Sequence, residues 1–439
     1  MTLSSQKRTD ILDALRRGTV PRKGLETLAV GLERFQPTIE EQLNKVAGGG
    51  AEFKAVRGDY GCGKTFFSRW IQERAKSMNF ACSEVQISET ETPLHRVETV
   101  YRRMVERLST PATEIGAFRD IIEGWFFTLE EELIESGKVR DNDPASIVEQ
   151  TNRLLEQRLH EVSRHNAQFA SVLRAWRQAS AQEDMATADS LLSWLAGQKN
   201  VAAAVKRYAG VKGDVDHFAA LSFLQGLLRV LRDSSYKGLV LVLDEVETLQ
   251  RMRSDTREKA LNSLRQLIDE IDSGRFPGLF LIITGTPTFF EGPQGIRKLQ
   301  PLAQRLHTDF ETDSRFDNPR APQIRLEPLK KDGLMEVGRK VRDIFADGSI
   351  ASDRIRRKVD DAIIEALADS IAGTLGGRVG LAPRIFLKKL VNDLLDRVEI
   401  HEEFDPKHHY KPVIEGSELS DAERSVAGME SLDEIELKW

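Results

Sequence analysis

The sequence predicts an α/β fold: a parallel sheet flanked by helices, with a helical insertion in the middle and a helical lid toward the C-terminal end. Three observations carry this reading. Residues 58–65 read Gly58-Asp59-Tyr60-Gly61-Cys62-Gly63-Lys64-Thr65, a complete G-x-x-x-x-G-K-T phosphate loop of the kind that joins a strand to a helix. Leu239-Val240-Leu241-Val242-Leu243 and Leu279-Phe280-Leu281-Ile282-Ile283 are unbroken apolar runs, as strands buried on both faces require. The long stretches between and after them repeat apolar residues at helical spacing, without strand alternation.

The elements follow in order. Ile11, Leu12 and Leu15 predict a first helix, closed by a turn at Gly18-Thr19-Val20-Pro21. Ile39, Leu43 and Val46 predict a second, ending at Gly48-Gly49-Gly50. Ala51 to Arg57 forms the strand before the phosphate loop, and Thr65 opens a helix with Phe67, Trp70, Ile71, Ala75 and Met78 on one side. Ala81 to Ile87 is a second strand, followed by a helix through Leu94, Val97, Tyr101, Met104 and Leu108. From about 112 to 233 only helices are expected, three of them marked by Phe118 to Leu129, Ile147 to Val162 and Phe218 to Leu231. The sheet resumes at Leu239 and Leu279 and closes with a strand over Ile324 to Leu329. Beyond it come Leu334 to Ile344, a single helix from Ile355 to Ile371, and a third whose first position is Pro383. The expected organisation is therefore an N-terminal helical segment over 1–50, a core over 51–330 with its insertion, a lid over 331–404 and a polar tail over 405–439.

Composition narrows the class. Of 439 residues, 40% are hydrophobic and 30% charged, which suits a globular chain of two or three domains. No apolar run approaches the roughly 20 residues that span a bilayer, and no secretory signal opens the chain. Only two cysteines occur, one of them inside the phosphate loop, so a structural disulfide is not expected and a reducing cytoplasm fits. The eight histidines include no H-E-x-x-H pattern, which disfavours zinc chemistry. A net charge of −6 leaves a nucleic-acid partner open.

The chemistry concentrates at two places. In the phosphate loop, backbone N–H groups from Gly58, Asp59, Tyr60, Gly61, Cys62 and Gly63 would cradle a polyphosphate, with Lys64, Thr65 and Phe66 opening the helix behind it. Lys64 would supply a point charge to the β/γ-phosphates, and the Thr65 hydroxyl would take one position on Mg²⁺. At the carboxyl end of the Leu239 strand, Asp244 would act through the metal and Glu245 would polarise the attacking water. Thr284 or Thr286, at the next strand end, would meet the γ-phosphate or that water; ordinary turn chemistry is the competing reading. Arg305 could reach a neighbouring subunit's nucleotide, with Arg297, Arg315 and Arg320 as competitors, and Arg384 could contact the γ-phosphate from the lid. The basic runs Arg354 to Lys358 and Lys388-Lys389 are either exposed helix faces or DNA contacts.

With these residues in place, the chain resembles the AAA+ ATPases of the replication-initiator branch, although Thr-Gly-Thr stands where initiators usually show asparagine. The segment Arg16-Arg17-Gly18-Thr19-Val20-Pro21-Arg22-Lys23-Gly24-Leu25, with Ile283-Thr284-Gly285-Thr286-Pro287 and Leu302-Ala303-Gln304-Arg305-Leu306, is similar to the BrxD family of ATP-binding proteins in BREX bacteriophage-defence systems. The resemblance implies a cytoplasmic, Mg²⁺-dependent ATPase that forms homo-oligomers and works with DNA or with partner proteins of such a system, a helicase among them. It also implies that Val20 and Pro21 pack beside the adenine. The alternative is a nucleotide-gated scaffold with little turnover. A GTPase is disfavoured by the lack of N-K-x-D, an ABC protein by the lack of L-S-G-G-Q.

Overall fold

The computed structural model describes residues 3–139, 144–374 and 383–412. Five strands, β1 Glu52–Arg57, β2 Ala81–Gln86, β3 Leu239–Asp244, β4 Leu279–Gly285 and β5 Gln323–Arg325, make one parallel sheet in the order β2-β3-β4-β1-β5. β3 and β4 are buried along their whole length, as their unalternating sequences require. The last strand is shorter than its sequence suggests. Leu326 N–H still donates to Arg57 C=O at 2.8 Å, but Pro328 has no N–H to continue the ladder.

The chain divides into two compact units. One gathers the described residues of Met1–Thr38, Val56–Glu73 and Asp309–Trp439. Its core is helical, with Ile11, Leu15, Val341, Phe386 and Leu394 fully or nearly fully buried in one cluster. The helix expected from Ile355 to Ile371 is two, Ser352–Lys358 and Asp361–Thr374. Asp360 divides them, because its carboxylate accepts the Ile363 N–H at 3.0 Å and so caps a new helix start. Pro383 opens the next helix as its sequence suggests; that helix runs Pro383–Lys389, then π-helical over Leu390–Leu395, then Asp396–Ile400. Of the expected tail, 413–439 lies outside the described residues.

The other unit spans Ile39–Ala55 and Arg74–Thr308. It holds β2, β3 and β4, and between β2 and β3 the described residues fold only into helices, apart from a short bridge from Cys82 to Ser109. Phe223 meets Tyr101, Phe169 and Trp194 edge-on at its centre. The helix expected from Ile147 to Val162 is two, Pro144–Arg158 and His160–His165, and Gln168–Ala181, Met185–Leu195 and Ala203–Tyr208 join those marked in the sequence. The buried face of Gln168–Ala181 carries Phe169, Leu173 and Trp176 and that of Met185–Leu195 carries Leu191, Leu192 and Leu195, the same helical spacing as in the marked helices.

Candidate nucleotide site

In the first unit the phosphate loop follows β1 and leads directly into the helix Lys64–Ser77. Gly63 sits at φ +95°, and a Cβ there would meet no atom within 4 Å. The loop is thus open on the side where a polyphosphate would lie, and the left-handed backbone favours glycine. Gly58 has the opposite reason for being glycine: a Cβ would come within 3.0 Å of Leu326 C=O and overlap the Cys62 sulfur. Lys64 is 8% exposed, and its ammonium donates to the carbonyls of Gly58 at 2.8 Å and Asp59 at 3.1 Å. The Tyr60 ring lies beside the same ammonium, 5.2 Å from centroid to nitrogen. Asp59 and Tyr60 are exposed, Thr65 and Phe66 half-buried. Burial pushes the Cys62 thiol up, against the opposing pull of Lys64, and burial pushes Cys82 up to about 12. Neither cysteine forms a disulfide, and neither is activated.

The Gly18-to-Pro21 turn is fastened to the phosphate-loop helix. Arg69 donates to Val20 C=O at 2.8 Å, and the Glu73 carboxylate, one turn on, accepts the N–H groups of Gly24 and Leu25 at 2.5 and 2.8 Å. Trp70 adds an indole bond to Glu26 at 2.9 Å. Val20 is half-buried and Pro21 buried. Arg384 heads the helix from Pro383 and lies against this turn: a Cβ at Gly18 would be 3.6 Å from Arg384 Cγ and 3.4 Å from Lys388 Cδ.

In the second unit the end of β3 is built around Thr284. Its hydroxyl donates to the Asp244 carboxylate and accepts the Glu245 N–H at 3.1 Å. Thr284 is fully buried and Asp244 nearly so. Glu245 takes a left-handed backbone, φ 59° and ψ 43°, which is uncommon for a residue with a side chain. That conformation turns the chain sharply out of β3. Gln86, opposite Asp244 in the β2–β3 register, donates to the Glu245 carboxylate at 2.9 Å. The sequence reading missed Gln86, Arg69 and Glu73. None of the three carries a local motif, and Gln86 comes beside Glu245 only through the pairing of β2 with β3. Thr286 shares a hydroxyl contact of 2.9 Å with Thr288 at the start of the helix Pro287–Glu291.

A family model described as BREX system ATP-binding protein BrxC/D matches residues 3–413, nearly the whole chain. The chain belongs to that family. Comparison with curated proteins gives no match. Membership of the BrxC/D family makes this an ATP-binding protein of the BREX type, and the residues present suit that ligand. The open Gly63 position and the inward ammonium of Lys64 match a polyphosphate. Thr65 in the first unit and Asp244 in the second each offer an oxygen of the kind that Mg²⁺, a hard cation, prefers.

Other residues singled out in this BrxC/D chain have partners of their own. Arg305 pairs with Asp269 through its Nε and is 38% exposed. Arg315 pairs with Asp313 at 2.9 Å, while Arg297 and Arg320 are exposed. The basic run is largely committed within the chain. Arg354 donates to the carbonyls of Val398 and Glu399, and Lys358 to those of Glu402 and Phe404. Arg356 pairs with Asp347, and Lys389 is buried beside Asp393. No described helix is long and apolar enough to cross a membrane.

Proposed function

We propose that the chain binds Mg²⁺-ATP on its phosphate loop, hydrolyses it with the acidic pair Asp244-Glu245, and uses the cycle to act with copies of itself and with other BREX components or DNA. The observation that carries the hydrolytic part is the end of β3, where Thr284 fixes the Asp244 carboxylate and the Glu245 N–H together. Such bracing leaves one carboxylate for the metal and aims the next at water, the division of labour that phosphoryl transfer needs. Lys64 would exchange its loop carbonyls for phosphate oxygens. Arg384 would reach the terminal phosphate from the lid, and Arg305 would serve a neighbouring subunit.

Glu245→Gln keeps the shape of the side chain and removes its basicity. It is expected to retain ATP affinity within about threefold and to lose turnover by about 100-fold or more, checked by calorimetry and phosphate release. Parental turnover in that variant would refute the assignment of Glu245. A second reading, a switch with little turnover, is favoured by one observation: the Glu245 carboxylate already accepts a hydrogen bond from Gln86 at 2.9 Å. In that case Lys64→Ala abolishes partner binding while Glu245→Gln leaves it intact.

A further inference from the structure

The first helix, Ser5–Arg16, ends against the lid helix in an arrangement that nucleotide binding alone does not call for. Arg16 makes a two-pronged pair with Asp396, Nε to Oδ2 at 2.9 Å and Nη2 to Oδ1 at 2.8 Å. Its third nitrogen takes Asp13 at 2.7 Å, and the guanidinium lies over the Phe345 ring at 5.9 Å. Asn392 donates to the Arg16 carbonyl at 2.9 Å, satisfying a carbonyl that a helix end leaves open. The residues of this junction are only part-exposed, so the fork geometry counts for more than a surface pair would.

Two further features place the junction on the path to Arg384. Asn392 lies within the π-helical stretch Leu390–Leu395, and one-turn π segments inside helices recur at functional sites. Two residues beyond Arg16, Gly18 at φ +67° receives the Arg384 and Lys388 side chains, which a Cβ there would just touch. The same lid helix is thus pinned at Asn392 and Asp396 and presents Arg384 to the turn that leads to Val20.

We propose that Arg16, Asn392 and Asp396 form a latch that sets the angle of the lid helix and so the reach of Arg384. They are positioning residues for the response to the terminal phosphate, a role that rests on the assignment of Arg384 under Proposed function. Without the latch the π segment can relax to α-helical winding. That change rotates everything before it relative to Asp396 and carries Arg384 off the turn.

The test is the preference for a non-hydrolysable ATP analogue over ADP, measured by calorimetry on the full chain with Mg²⁺. Arg384→Ala is expected to reduce that preference. Asp396→Asn, and separately Asn392→Ala, should each reduce it about fivefold while ADP affinity stays within about twofold. The double variant of Asp396→Asn with Arg384→Ala should be no worse than Arg384→Ala alone, since both act through one side chain. Exchanging the pair, Arg16→Asp with Asp396→Arg, should restore at least about half the preference on a logarithmic scale. The latch is refuted if Arg384→Ala lowers the preference while both latch variants keep it, or if the losses multiply in the double variant. If Arg384→Ala itself changes nothing, the functional assignment of Arg384 fails first and takes the latch's purpose with it.

Discussion

Glu245 occupies a left-handed backbone position because Thr284 and Asp244 both receive its N–H. The cost of that conformation, on the order of 1 kcal/mol, is offset by two hydrogen bonds that exist only there. Thr284→Val keeps the volume but removes the hydroxyl, so the Glu245 N–H keeps only Asp244 and the Asp244 carboxylate loses its own bond to Thr284. Turnover should fall by about 10- to 100-fold with ATP affinity little changed, and Thr284→Ser should recover most of it; steady-state phosphate release checks both. Lys54, 1% exposed on β1, was not singled out in the sequence, where one lysine in a strand carries no signal. Burial lowers its pKa from 10.5 to about 8, with Glu52 pulling the other way. The folded value lies below the unfolded one, so between those limits the unfolded chain holds the extra proton. Stability therefore rises with pH across that window, and below it burial of the charge costs about 3 kcal/mol. Lys54→Met should be more stable than the parent in urea melts at pH 7, and the gap should shrink as pH approaches 10.

At the scale of elements, the sequence was most legible where a single physical requirement dominates. The glycine pattern of the phosphate loop and the two-face burial of β3 and β4 each leave an unambiguous trace. It was least legible where a boundary depends on one hydrogen bond. The division at Asp360 rests on its bond to Ile363 N–H at 3.0 Å, while the other oxygen takes Lys407 at 3.0 Å. The apolar periodicity through Ile355, Val359 and Ile363 runs on as if nothing intervened. Asp360→Ala should destabilise the first unit by about 1 kcal/mol, and Asp360→Asn or Asp360→Ser by less; thermal unfolding followed by circular dichroism measures this. If alanine is neutral, the break has another cause. The candidate site divides the same way. Motif residues such as Lys64 announced themselves, but Gln86 becomes visible only through the β2–β3 register, which no local pattern encodes.

For the whole molecule, the open matter is whether one chain completes its own site. Arg305 is paired with Asp269 of its own chain, yet it stays more than a third exposed. A pair of that kind contributes little to stability and can be exchanged for a stronger anion. If Arg305 serves a neighbour's nucleotide, Arg305→Ala and Glu245→Gln should each abolish turnover, because every interface in either pure assembly lacks one component. A one-to-one mixture behaves differently. An interface is complete when the subunit that binds ATP keeps Glu245 and its neighbour keeps Arg305. With random assembly that occurs at about a quarter of interfaces, so the mixture should regain about a quarter of parental turnover. The regain should also require assembly, disappearing on dilution as the oligomer mass falls in light scattering. An inactive mixture of well-assembled subunits would show that Arg305 does not serve a neighbour's nucleotide, and turnover by Arg305→Ala alone would leave its bond to Asp269 as its whole role.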